Sequence, residues 1–262
     1  MEHNGIQNKF SEITSGTYIP VYTILSWATS IIGFAALYFD AFGTHKYYGY
    51  SAARLIFTTA VIVLSALPGS LWFLVYRRLK RQPQAEIAAG YFKAIRIFYV
   101  LFLIAAVAVT IFFIILFAAA LSSTQKAEGF GAVFEAVARA LAAILSALIV
   151  VLGAGVIFYS VTGLKFYSNL YNRCKNADSL SRRGGTFFAA NIAAGVIFVL
   201  LSIWQILYIA AVDSPNHPQT VSAAVMLVIM CFCYATAAAK HFSQAVIIRR
   251  YYKEIKRQLC SL

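Results

Sequence analysis

Four histidines and four cysteines are the residues of this chain best suited to hold a metal or a haem, or to act as nucleophiles. Their spacing serves none of these ends. His3, His45, His217 and His241 fall outside the interiors of the long apolar runs, so no pair is set to face a haem from adjacent membrane helices. The sequence has no His-Glu-x-x-His, no G-x-x-x-x-G-K-[ST] loop and no G-x-S-x-G elbow. Ser146 and Ser160 lie in apolar runs with no histidine at similar depth to activate them. Cys174, Cys231, Cys233 and Cys260 follow neither a disulfide framework nor a zinc pattern. Cys231 and Cys233 are two apart, hence on nearly opposite faces of a helix, and all four read as reduced, small apolar residues. No cofactor and no metal are expected.

Asn191 and Gln205 are the most polar side chains within the apolar runs. Fourteen residues separate them, about four helical turns, which puts them on one face. Such a face either lines a cavity or makes interhelical hydrogen bonds, typically worth ~0.6–2 kcal/mol in a bilayer. An enzyme acting on lipid at the membrane boundary would have only Lys240, His241, Asn169 and Asp178 to work with. Pro68-Gly69 breaks a long apolar run and predicts a helix kink, serving as a hinge or as a packing device.

The elements that would position these residues are membrane helices. Hydrophobic residues make up 61% of the 262 and charged residues 12%, against roughly 25% charge in soluble domains. The apolar runs predict six spans at about 18–39, 53–76, 97–121, 140–164, 187–212 and 221–239, each long enough to cross ~30 Å of hydrocarbon. The fold class expected is an all-α, polytopic integral membrane protein. A short tail, 1–17, precedes the 18–241 membrane domain. Residues 85–96 begin the third helix early, and 132–139 read as a surface helix. Apart from Arg54 at the very start of the second span, no Asp, Glu, Lys, Arg or His lies inside a predicted span, which counts against proton-coupled pumps and voltage sensors.

Charge orients the helices. Lys9, six cations in 77–96, five in 163–186 and six in 240–262 would share one side, leaving Lys46, Arg54, Lys126 and Arg139 on the other. The whole formal net charge of +13 then lies on the first side, which the positive-inside rule makes cytoplasmic, together with both termini. Arg77, Arg78, Lys80 and Arg81 are the densest cluster on that side. Residues 242–262 predict a basic amphipathic cytoplasmic helix: Ile248, Tyr252, Ile255 and Leu259 form one face and Arg249, Arg250, Lys253, Lys256 and Arg257 fill the others. Similar Tyr- and cation-rich ends close the three helical hairpins, as snorkelling ends on one face would without any repeat.

The residues Pro68, Trp72 and the Tyr76-Arg-Arg-Leu-Lys-Arg81 exit are followed by Arg96-Ile-Phe-Tyr-Val-Leu-Phe-Leu103 and by a run over 134–159 with small residues first and aromatics last. Over about residues 52–165 the chain resembles an uncharacterised bacterial family of integral membrane proteins, catalogued as a domain of unknown function. The resemblance implies an architecture and no activity. Some members carry an acidic residue in the third span. Here residues 105–117 have only Thr110 as a polar group, so a role for that acid does not transfer.

The functional expectation is a non-enzymatic scaffold or accessory protein of the plasma membrane. Its basic face would meet anionic lipid headgroups first, and a protein partner through the C-terminal helix second. Nucleic acid ranks last, because no recognition motif accompanies the charge. The alternative is a passive transporter or channel for a small solute, with Asn191, Gln205, Thr110, Tyr208 or Tyr234 lining a mid-membrane cavity.

Overall fold

The computed structural model describes residues 16–43, 56, 59, 62, 64–82, 85–122, 130–175, 185–212 and 221–260. It is all-α, with six helices among the described residues: α1 Tyr18–Gly43, α2 Leu67–Arg81, α3 Ala85–Ser122, α4 Phe130–Lys175, α5 Gly185–Val212 and α6 Val221–Cys260. Five stretches are long and apolar enough to cross a membrane: Tyr18–Ala36, Glu86–Leu116, Ala143–Lys175, Gly185–Ile209 and Val225–Lys253. The chain is therefore a multi-pass membrane protein. Helices are the form such a sequence must take, since hydrocarbon offers no partner to a backbone N–H or C=O. Their outer surfaces are apolar, with Ile24 and Ile31 on α1, Leu101 and Ile104 on α3, Ile144 and Val151 on α4, and Leu200 and Leu207 on α5 all exposed.

The predicted second span, 53–76, falls in good part outside the described residues, and α2 covers its end. Leu64 and Ser65 are helical, the chain turns at Ala66, and α2 then starts at Leu67 with Pro68 in its first turn. The missing N–H of proline goes unneeded there, and two residues on Ser70 N–H donates to Ala66 O at 3.0 Å. The predicted N-terminal tail, apart from its last residues, lies outside the described residues, as do the connections at 44–55, 123–129, 176–184 and 213–220.

Two compact units make up the chain. The first draws on Met1–Ile95 and Phe166–Leu262. Within it α1 lies against both α2 and α6, and α5 lies along α6. The contacts fix the directions. Thr23 Oγ1 donates to Gly69 O at 3.0 Å and Ser30 Oγ meets Ser65 Oγ at 2.7 Å, so α1 and the 65–69 segment run antiparallel. Ser202 Oγ lies 3.3 Å from Cys231 O, and Asn191 pairs with His241 ten residues further along α6, so α5 and α6 are antiparallel too. Gly69 permits the closest approach: a Cβ on it would stand 2.6 Å from both Cβ and Oγ of Ser26 on α1.

The second unit is Arg96–Lys165, two antiparallel helical segments. The Tyr99 and Tyr159 rings lie 6.2 Å apart, while a Cβ on Gly153 would strike Thr110 one end further along. Small residues on one helix receive larger ones from the other. In lipid, where apolar burial brings no gain, this close packing is what holds helices together. Thr110 Oγ1 donates to Ala106 O at 2.7 Å within its own helix.

Candidate functional site

The buried face of α2 is set by three- and four-residue steps: Trp72, Val75 and Leu79 are all within 1% of full burial. That stepping turns Arg77, Arg78, Lys80 and Arg81 outward, and all four are exposed. Trp72 is the centre of an aromatic node. Its indole N–H donates to Tyr167 Oη on α4 at 2.9 Å, and Gln244 Nε2 on α6 donates to the same oxygen at 3.2 Å. Ring centroids of Phe92 on α3 and Tyr251 on α6 lie 5.2 and 6.1 Å from that of Trp72. Phe166 bridges Tyr251 at 6.3 Å and Phe187 of α5 at 5.4 Å. Edge-to-face and tilted pairs at these distances each add about 0.5–1.5 kcal/mol beyond simple packing. One node thus joins five helices.

Basic residues radiate from it. On α6, Ile247, Ile248 and Tyr251 point inward, while Arg249, Arg250 and Lys253 are exposed. The Arg250 guanidinium sits 4.4 Å from the ring centre of Tyr18 on α1. Lys80 lies over Tyr76 at 5.9 Å, and Lys175 over Tyr171 at 5.5 Å. Each pair fixes a cation beside an amphipathic ring, an arrangement suited to a headgroup boundary. Lys256 and Arg257 fall on the last turns of α6, where side chains lie outside the described residues.

The stretch 242–262, read from sequence as an element of its own, continues α6 without a break as far as Cys260. Its buried face is also turned. Gln244, Ala245, Ile247, Ile248 and Tyr251 are buried and Tyr252 is half-buried. Of the face read from sequence, Ile248 is common to both, and Ile255 and Leu259 lie outside the described side chains. The rotation follows from packing on the node and on α1, neither of which an isolated amphipathic helix would have.

Continuity of α6 also changes the setting of Lys240 and His241. The membrane-length stretch Val225–Lys253 contains both. Lys240 Nζ donates to Ser65 O at 3.2 Å. His241 Nδ1 is 3.1 Å from Asn191 Oδ1, and its ring stacks on Phe198 with centroids 5.5 Å apart and planes 10° from parallel. Asn191 is fully buried, and its Nδ2 donates to Phe187 O at 2.9 Å. Its amide is thus engaged inside the fold on both sides. Gln205, on the same helix, is half-buried, and nothing brings the two together. The signal for a continuing helix was present: Phe242, Ala245, Val246, Ile247 and Ile248 resume the apolar pattern just after Lys240 and His241.

Among the described residues no group of three or more His, Cys, Asp and Glu could hold a metal ion. Cys174 is buried, and Cys231 and Cys233 are half-buried free thiols. No family model, curated protein or solved structure matches the chain, and nothing in these comparisons bears on the resemblance over residues 52–165.

Proposed function

We propose that this chain is a non-enzymatic scaffold or accessory protein of the plasma membrane whose basic cytoplasmic face holds anionic lipid headgroups. One observation carries the reading: the aromatic node around Trp72 anchors the helix ends that present Arg77, Arg78, Lys80, Arg81, Arg249, Arg250 and Lys253 to the outside. Residues about 170 positions apart in sequence are held by one rigid centre. A cation near an anionic surface contributes about 1 kcal/mol, so a fixed cluster of seven binds far more firmly than any one of them. The proposal includes six spans with both termini in the cytoplasm, on the strength of the charge asymmetry.

The test is lipid retention. Wild-type protein, purified from mixed phosphatidylcholine and phosphatidylglycerol, is expected to keep phosphatidylglycerol several-fold in excess of its bulk share. Glutamine at the seven positions is expected to abolish the excess while the helical content stays. Equal retention by the two proteins would leave these cations with the role of orienting the helices and nothing more. The orientation has its own check. Cysteines placed at Lys80 and Lys126 should label from opposite sides of the membrane, and labelling from one side refutes the topology.

A further inference from the structure

Lys240 stands apart from the other cations. It lies nine residues before Arg249 on the continuous helix α6, a distance of about 14 Å along the axis. Ala237, Ala238 and Ala239 precede it and the apolar run Ala245–Ile248 follows one turn on, within a membrane-length stretch. Its side chain is half-buried and turned into the first unit, where Nζ donates to Ser65 O at 3.2 Å. An ammonium has three N–H donors. Among the described residues Ser65 O is its one hydrogen-bond acceptor, no carboxylate pairs with it, and the Cys233 sulfur lies in electrostatic reach. A charge inside hydrocarbon needs a counter-charge or a dense set of hydrogen bonds, and ionisable groups at such depth mark binding sites and pathways.

The surroundings are polar enough to complete a small site. Ser65 Oγ donates to Ile62 O at 2.7 Å, so in its contact with Ser30 it is the Ser30 hydroxyl that donates. Both hydroxyl hydrogens can rotate toward a new acceptor. Cys233, about two turns before Lys240 on α6, points its Sγ to Thr29 O at 3.9 Å. On the other side His241 is held by Asn191 and Phe198.

We propose that Lys240, with the Ser30–Ser65 hydroxyl pair beside it, forms an intramembrane binding site for a small inorganic monoanion of the size of chloride or nitrate. The ligand is small and drawn from water because the site is too deep for a lipid phosphate held at the interface. The ammonium supplies the charge and two N–H donors. The hydroxyls re-aim one or both O–H groups, and Ser65 O keeps the third ammonium proton. This site does not rest on the basic-face reading, since none of the seven face cations takes part.

The experiment uses the full chain in nanodiscs of pure phosphatidylcholine, which removes anionic lipid as a competitor. Its thermal midpoint is followed against chloride and nitrate at constant ionic strength, with gluconate as the counter-series. The expected result is a saturable rise of several degrees in the small anions and none in gluconate, as follows when a ligand binds only the folded state. Lys240→Gln should lose the rise, and Ser30→Ala should shift its midpoint concentration upward several-fold. The variant with glutamine at the seven face positions should keep it. Should Lys240→Gln not fold, chloride-35 line broadening on the face variant, reversed by nitrate, gives the same answer with Lys240 in place. Identical midpoints in chloride and gluconate overturn the proposal. So does a rise that survives Lys240→Gln, or one that disappears with the face cations.

Discussion

His241 Nδ1 and Asn191 Oδ1 lie 3.1 Å apart, and the direction of that bond is set by a third group. Asn191 Nδ2 donates to Phe187 O, which leaves Oδ1 facing the ring as an acceptor. The imidazole proton is therefore on Nδ1. In nitrogen-15 spectra the neutral ring should show the Nδ1–H tautomer. Asn191→Leu should release that preference and destabilise the fold by ~0.6–2 kcal/mol, the range of polar pairs between membrane helices. Combined with His241→Phe, the two losses should add to less than their sum, because each removes the same bond.

Tyr167 Oη accepts from Trp72 and from Gln244 at once, and this asymmetry ranks the variants of the node. Trp72→Phe removes one donor and leaves the hydroxyl with Gln244, so its hydrogen-bond loss should stay near ~1 kcal/mol. Tyr167→Phe removes the acceptor shared by two buried donors, and should cost about 1–3 kcal/mol. Trp72→Ala opens a cavity at a site with no solvent exposure and should exceed both, at about 3–5 kcal/mol. Unfolding in mixed micelles, monitored by tryptophan-independent circular dichroism, gives the order directly.

Gly69 is required by proximity. A Cβ there stands 2.6 Å from Ser26 Cβ, and the Thr23 backbone at 3.5 Å closes the other side. Gly69→Ala must push α1 and α2 apart, and should also loosen the bond from Thr23 Oγ1 to Gly69 O. A loss of about 1–3 kcal/mol is expected. Ser26→Gly introduced with it should recover much of the loss, although glycine inside a helix itself costs ~1 kcal/mol. No recovery would mean that strain at Gly69 arises elsewhere.

The all-α class and the apolar helices were legible from the sequence, because long uncharged runs leave few other structures open in lipid. The outward placement of Arg77, Arg78, Lys80 and Arg81 was legible for the same reason, since charge seeks water. Partners were not. Asn191 and Gln205 share a helix face by spacing, but Asn191 pairs with His241 on α6, fifty residues away. Trp72 gives no sign in the sequence of being a buried centre, because its neighbours Tyr167, Gln244 and Tyr251 come from elements far along the chain. Periodicity reports which face of a helix is apolar and carries no information on which helix covers it.

The same limit explains why a span ending at Ala239 and a separate helix from 242 read naturally, and it supplies a decisive variant. Val246 is 44% exposed, so its side chain contributes little packing. Were 242–262 a loosely attached surface helix, a proline at 246 would fray only the start of that helix and leave the stability of the membrane domain unchanged. In the continuous α6 the same proline removes a mid-helix bond and clashes with the preceding turn, at about 3 kcal/mol or more. It also swings Tyr251 away from Trp72 and Arg250 away from Tyr18. Val246→Ala is the control and should stay within ~0.5 kcal/mol. A large gap between Val246→Pro and Val246→Ala, with loss of the node, is the outcome a single helix demands. Near-equal stabilities would place a break before Val246 and detach the basic end from the membrane domain.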